Sequence, residues 1–414
     1  MLLHTCLTAQ VYVEKQSRHR FAQMTLGLDF QHVGNGTSTY ISEMEGSTLT
    51  FSTLPWQSST IPRFIIGGTH FWGHADFYIA IPFGSASFES EGQQISYGTG
   101  VETVLKAYPW RMEDRKIRPY IGISLAPIKY KQDNSLLEYG DGPRYTDNRQ
   151  PLLCGLTYLS KGYALEAGIT YDYTNKIDYP TSHSTTGVVA TPRVLYTLSY
   201  RYMFDTTLEA EADWDSGYTQ NVTEVLADRN ELNGFFVGAG MSAALWSGTS
   251  SYNTAQRPYI STYGWSLLPE FSLGYYDHDL DAAVIANHRS YTASTLTYGT
   301  EQAAGRRSLG VEALKFIGDY HGFVPFVGIA GSYELLSFSE SHDGDPAVDI
   351  RDQKPALGIV FGWDIRPNRL QSFLLRTNLR YYPSLHLDTP SGDSISFNTL
   401  EFNFIQLVVF PGRM

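Results

Sequence analysis

Residues 163–175, YALEAGITYDYTN, alternate without a break. Tyr163, Leu165, Ala167, Ile169, Tyr171 and Tyr173 fall on one side; Ala164, Glu166, Gly168, Thr170, Asp172 and Thr174 fall on the other. Strand side chains point alternately to two faces, so a period of two predicts a strand with one apolar face. The run is longer than the roughly 5–6 residues usual in globular sheets. It suits the roughly 9–11 residues that a tilted strand needs to cross a bilayer.

The pattern recurs along the chain. In 20–31, Ala22, Met24, Leu26, Leu28 and Phe30 oppose Gln23, Thr25, Gly27 and Asp29. In 191–206, Val194, Tyr196, Leu198, Tyr200, Tyr202 and Phe204 oppose Thr197, Ser199, Arg201 and Asp205. The same reading predicts strands at 61–72, 75–84, 96–110, 117–130, 151–161, 163–175, 233–246, 260–277, 284–299, 306–319, 322–338, 354–366, 372–387 and 395–410. Short connections, near 73, 111–116, 162, 278–283, 320–321 and 367–371, alternate with long ones, such as 32–60, 131–150, 176–190 and 339–353. Residues 207–232 break this rhythm: they are long, acidic at first, and carry a short helix signal from Asn221 to Glu231. The prediction is all-β: a closed antiparallel up-and-down transmembrane β-barrel of about 16 strands, with 14 or 18 as the neighbouring even counts. One barrel would occupy 20–410, after a signal-peptide remnant and periplasmic lead-in at 1–19 and before a tail at 411–414.

Composition sharpens this picture. The chain has 414 residues, a formal charge of −12, only 17% charged residues and 14% aromatics. So many aromatics exclude a disordered chain, and the acidic balance argues against a nucleic-acid binder. No apolar run is long enough for a transmembrane helix, which leaves a membrane barrel open because its strands hide their apolar face in alternation. Cys6 and Cys154 are too few for a disulfide scaffold or a zinc site; Cys154 is expected to pack as a small hydrophobe.

At this level the chain resembles the bacterial outer-membrane β-barrel proteins as a class. TPRVLYTLSYRYMF (191–204) and FLLRTNLRYYPSLHL (373–387) carry the resemblance. It implies a cell outer-membrane location, periplasmic termini, contact with outer-membrane lipid, and homo-oligomers or an envelope-complex partner. The chain departs from the class at its end, where Pro-Gly-Arg-Met follows the customary terminal aromatic, Phe410.

The face opposite the greasy stripe carries Arg118, Glu166, Asp172, Arg201, Asp205, Glu270, Glu334, Asp364, Arg376, Arg380 and Glu401. In a barrel these line the lumen. They are expected either to select small solutes in a polar channel or to brace the wall as ion pairs, Arg376 and Arg380 with partners such as Asp364 and Glu401. Asp343-Gly344-Asp345, within the acidic segment 339–352, resembles half of a calcium loop without the rest of its spacing, and the segment reads as a solvated extracellular loop. His70 and His74 flank a turn with no further metal ligands in view. No string diagnostic of a catalytic nucleophile is present, so no enzyme activity and no cofactor is expected. The function expected is passage of small solutes through the lumen; the alternative is a non-transport barrel that anchors loops or joins an envelope assembly, adhesion or secretion complex.

Overall fold

The structure, a computed structural model, describes residues 23–205, 224–246, 250–260, 263, 266–318, 323–366 and 372–414. Cys6 and the segment expected as a lead-in lie outside them.

β1 (Gln23–Val33) crosses once. The chain then runs outward as a hairpin, β2 (Gly36–Glu45) and β3 (Thr48–Trp56), and returns in β4 (Ser59–His70). A 3-10 turn at Phe71–Gly73 leads into β5 (Ala75–Pro82). A second outer hairpin, β6 (Ala86–Ser90) and β7 (Gln93–Thr99), precedes β8 (Glu102–Ala107), β9 (Lys116–Asn134) and β10 (Arg144–Arg149). β11 (Leu152–Ser160) and β12 (Tyr163–Tyr171) follow, then the outer hairpin β13 (Lys176–Pro180) and β14 (Thr186–Ala190), then β15 (Val194–Asp205). The wall order is β11-β12-β15-β1-β4-β5-β8-β9. This sheet rolls up until its two end strands lie side by side, where the Ser124 amide donates to the Pro151 carbonyl at 3.1 Å.

The second half repeats the plan. Its wall strands are β16 (Gly234–Trp246), β17 (Ser266–Asp277), β18 (Ala282–Thr297), β19 (Thr300–Phe316), β20 (Phe323–His342), β21 (Asp345–Ile365) and β22 (Phe373–Tyr382). After a small outer hairpin, β23 (His386–Asp388) and β24 (Ser394–Ser396), comes β25 (Thr399–Val409), which pairs with both β22 and β16 and closes the ring. A short helix, α1 (Ser251–Gln256), sits against β24 at the same end.

The predicted wall segments are therefore all strands, but they do not form one barrel of about 16. They form two rings of eight, joined through 206–233, the stretch that broke the loop rhythm. Helix is present there at 224–228. Several strands also run further than the alternation suggests: β20 and β21 take in most of 339–353, which the sequence places in a loop. Asp343 (φ 55°) and Gly344 (φ 86°) turn that hairpin, a left-handed pair that the half calcium loop supplies as turn chemistry. Conversely β22 stops at Tyr382, and Leu385 and Leu387 turn inward under the outer hairpin.

Candidate functional site: two ion-paired lumens

An ordinary protein hides its apolar side chains and shows its charges. Here the reverse holds along both walls. Leu28, Phe30, Leu165, Leu198, Ile329 and Leu357 are exposed on the outside, Ile329 to 69% and Leu357 to 79%. Arg63, Arg201, Arg289, Arg306, Arg376, Arg380 and Lys106 are fully buried. Both barrels are inside out. An exterior of this kind is stable against hydrocarbon, and a closed ring leaves no unpaired backbone edge to face it. Leu165→Arg, on the outer face near mid-strand, is expected to destabilise by about 2–4 kcal/mol, against almost nothing for Leu165→Ile; reversible urea unfolding in lipid vesicles measures both.

In the first lumen Arg63 reaches Asp29 on the neighbouring strand (Nε–Oδ1 2.5 Å) and Glu102 two strands away. Arg201 binds Asp76 at 2.6 Å and Glu166 at 2.9 Å. Lys106 binds the other oxygen of Glu166, which also accepts from Tyr120 Oη at 3.0 Å. Nearer the loop end Arg149 pairs with Asp172. Above this layer the outer hairpins close the tube with an apolar core that includes Tyr40, Trp56, Ile95, Tyr97, Ile128 and Tyr179.

The second lumen is filled likewise. Arg380 is gripped by Glu270 (2.6 Å) and Glu312 (2.5 Å). Arg306 takes Glu334 at 2.7 Å and reaches Glu401 at 3.0 Å, while Arg289 also binds Glu401. Arg376 is bidentate on Asp364 at 2.7 and 2.8 Å. β19 and β25 stand on opposite sides of the eight-strand ring, so the Arg306–Glu401 pair spans the whole lumen. Phe236, Phe316, Phe326 and Phe410 pack the end carrying the short turns, and Trp246, Tyr252, Tyr263 and Phe397 pack the other.

Most residues expected in the lumen are therefore there, and they pair. Glu166, Asp172, Arg201, Glu270, Glu334, Asp364, Arg376, Arg380 and Glu401 are all buried in ion pairs. Arg376 has its expected partner. Arg380 does not: its strand register places it opposite Glu401, but its side chain turns to Glu270 and Glu312. Arg118 lies instead at the rim, bonded to Glu113 at 2.9 Å and to the Arg111 carbonyl at 2.8 Å. Asp205 ends β15 opposite Gln23, and its side chain lies outside the described ones. Sequence reasoning missed Asp29, Arg63, Asp76, Glu102, Lys106, Arg149, Arg289, Arg306 and Glu312. Their parity was the available signal: Asp29 and Asp76 alternate with Leu28 and Phe77. Cys154 is in a strand as expected but is exposed on the outer face, beside Leu152 and Leu156, rather than packed in a core. Among the described residues no group of three or more His, Cys, Asp or Glu could hold a metal ion.

The two barrels stand side by side with their short turns at the same end. Outer-face residues form the seam: Phe77 packs edge-on against Trp363 (5.3 Å) and Phe402 (6.0 Å), and His70 lies 5.5 Å from Phe323. At the loop end Tyr139 Oη donates to Asp343 at 2.6 Å, and this carboxylate acceptor pushes the tyrosine pKa up to about 12. The Tyr298 amide donates to the Asp141 carbonyl at 2.9 Å nearby.

No protein-family model and no curated protein sequence matches the chain. Its neighbours among solved structures are bacterial outer-membrane β-barrel proteins. Neisserial surface protein A is 18% identical over 43% of this chain and 97% of its own, with a TM-score of 0.30. An outer-membrane channel from Pseudomonas putida F1 is 10% identical over 94% of this chain and 95% of its own, with a TM-score of 0.20. The trimer form of OmpT, an outer-membrane protein of Vibrio cholerae, is 7% identical over 93% and 99%, with a TM-score of 0.16. At these values the reading rests on the inside-out walls.

Proposed function

We propose that the protein is a twin-barrel anchor of the outer membrane that presents its outer hairpins as a working surface and conducts no solute. The observation that supports this is the set of ion pairs crossing both lumens. A ring of eight strands leaves an interior that side chains can just fill, and here they fill it with paired charge capped by aromatic layers. Opening a path through Arg380 or Arg306 would strand desolvated carboxylates, which costs several kcal/mol per group. The short turns and both ends of each ring share one side, which supports periplasmic termini, since short turns face the periplasm in such barrels. The hairpins that extend the other ends would then face outward, available to an envelope-complex partner or a second copy.

Solute passage, the first expectation from the sequence, makes the opposite prediction. Purified protein in planar bilayers is expected to give no steps above baseline across the accessible voltage range. Stable, reproducible conductance from the folded, heat-modifiable form would overturn the anchor reading.

A further inference from the structure

The aromatic seam between the barrels does not close fully. Beside Phe77, Trp363 and Phe402 it leaves a hollow of about 50 Å³ between the two outer faces. Gly68 makes the dent on the first barrel. It stands in the outward row between Met24 of β1 and Phe77 of β5, with no side chain to fill the gap. No charged residue lines the hollow. Thr377, on its far wall, has spent its hydroxyl on the Phe404 carbonyl at 2.9 Å. His70 has not found such a partner. It lines the hollow, is only 6% exposed, and its Nδ1 has no hydrogen-bond partner among the described residues. A side chain at position 68 would begin 3.6 Å from His70 Nε2, so that nitrogen edges the dent.

Both walls are lipid-facing surfaces, so the molecules that reach this hollow are membrane lipids. Hydrocarbon alone would leave the imidazole N–H without an acceptor, which is costly away from water. We propose that the hollow seats the first carbons of one acyl chain of a diacyl phospholipid, with His70 Nε2–H donating to that chain's ester carbonyl. The size agrees. About 50 Å³ gives room for roughly three or four water-sized groups, a short stretch of one chain and not a whole lipid. The position agrees too: His70 ends β4 at the Phe71–Gly73 turn, where the wall leaves the hydrocarbon and lipid esters lie. The inference rests on the membrane placement proposed above and is independent of whether the lumens conduct.

The test moves the full chain from vesicles of diester phosphatidylethanolamine into a delipidating detergent and counts retained lipid by native mass spectrometry. The wild type is expected to keep one phospholipid per chain. Met24→Trp fills the hollow from the first barrel and is expected to cut retention at least about tenfold, as overpacking a fitted site does. Leu198→Trp, on the exposed outer wall of β15, is expected to retain as much as the wild type. His70→Phe is expected to lose about fivefold, the size of one buried hydrogen bond. Diether phosphatidylethanolamine, which has no ester carbonyl, is expected to be retained about fivefold less by the wild type, with no further loss in His70→Phe. A wild type that keeps no lipid, or a folded Met24→Trp that retains as much as Leu198→Trp, overturns the site. Equal retention of diester and diether lipid by the wild type overturns the part assigned to His70. A chain that stays soluble without detergent or lipid would instead remove the membrane placement itself, so the failures are distinguishable.

Discussion

Arg380→Met is expected to destabilise the second barrel by about 3–5 kcal/mol, the cost of leaving buried charge without its partner. The guanidinium holds two carboxylates at once, Glu270 through two nitrogens at 2.6 and 2.8 Å and Glu312 at 2.5 Å. Removing it leaves two buried acids without their cation. Ser242 and Asn403 still donate to Glu270, at 2.7 and 2.9 Å, but they carry no charge. Urea unfolding in vesicles, followed by tryptophan fluorescence, measures the loss. Arg380→Met/Glu270→Gln/Glu312→Gln should recover most of it, because neutral amides remove the charges that lack a partner. A single variant within about 0.5 kcal/mol of wild type, the scatter of an ordinary surface change, would mean that the lumen is wet and the pairs are incidental.

The second large effect concerns the two halves. Cutting the chain within 206–223 and expressing 1–210 and 224–414 separately is expected to give two folded barrels, each resistant to unfolding by detergent at room temperature and shifted on gels after boiling. The physical reason is that each half carries its own sheet: the second closes as a ladder, and the first rolls up until β9 lies against β11. β1 pairs with β4 and β15, and β16 pairs with β17 and β25; among the described residues no wall strand of one ring pairs with a strand of the other. The aromatic seam should then bring the halves together when they are co-reconstituted. If neither half forms a barrel without the other, the rings are not independent units and the seam is part of one fold.

The sequence makes the walls legible because bilayer and lumen impose opposite chemistry on alternate residues. Ile121 and Ile123 face out and Tyr120 and Ser124 face in, just as their order implies. The number of strands per ring is not legible in that pattern, since alternation looks the same in a ring of eight and a ring of 16. Side-chain reach separates the two. Arg306 can meet Glu401 across the lumen only if the ring is small, and a pair so far apart in sequence leaves no local mark. The pairing error at Arg380 has the same origin: hairpin register gives the nearest backbone neighbour, whereas a long guanidinium in a narrow tube chooses among three strands. The outer hairpins look like loops in the sequence because their apolar residues, such as Tyr40, Trp56 and Tyr179, serve a small core of their own and not a lipid-facing stripe.

The fact that β15 is followed by β16 in sequence but not beside it in space bears on biogenesis. During insertion the free edge of Val194–Asp205 meets two candidates, Gln23–Val33 behind it and Gly234–Trp246 ahead. Choosing the second would grow one wide hoop; choosing the first seals a narrow one and starts afresh. The polypeptide therefore needs two separate closures, Val194–Asp205 onto Gln23–Val33 and Thr399–Val409 onto Gly234–Trp246.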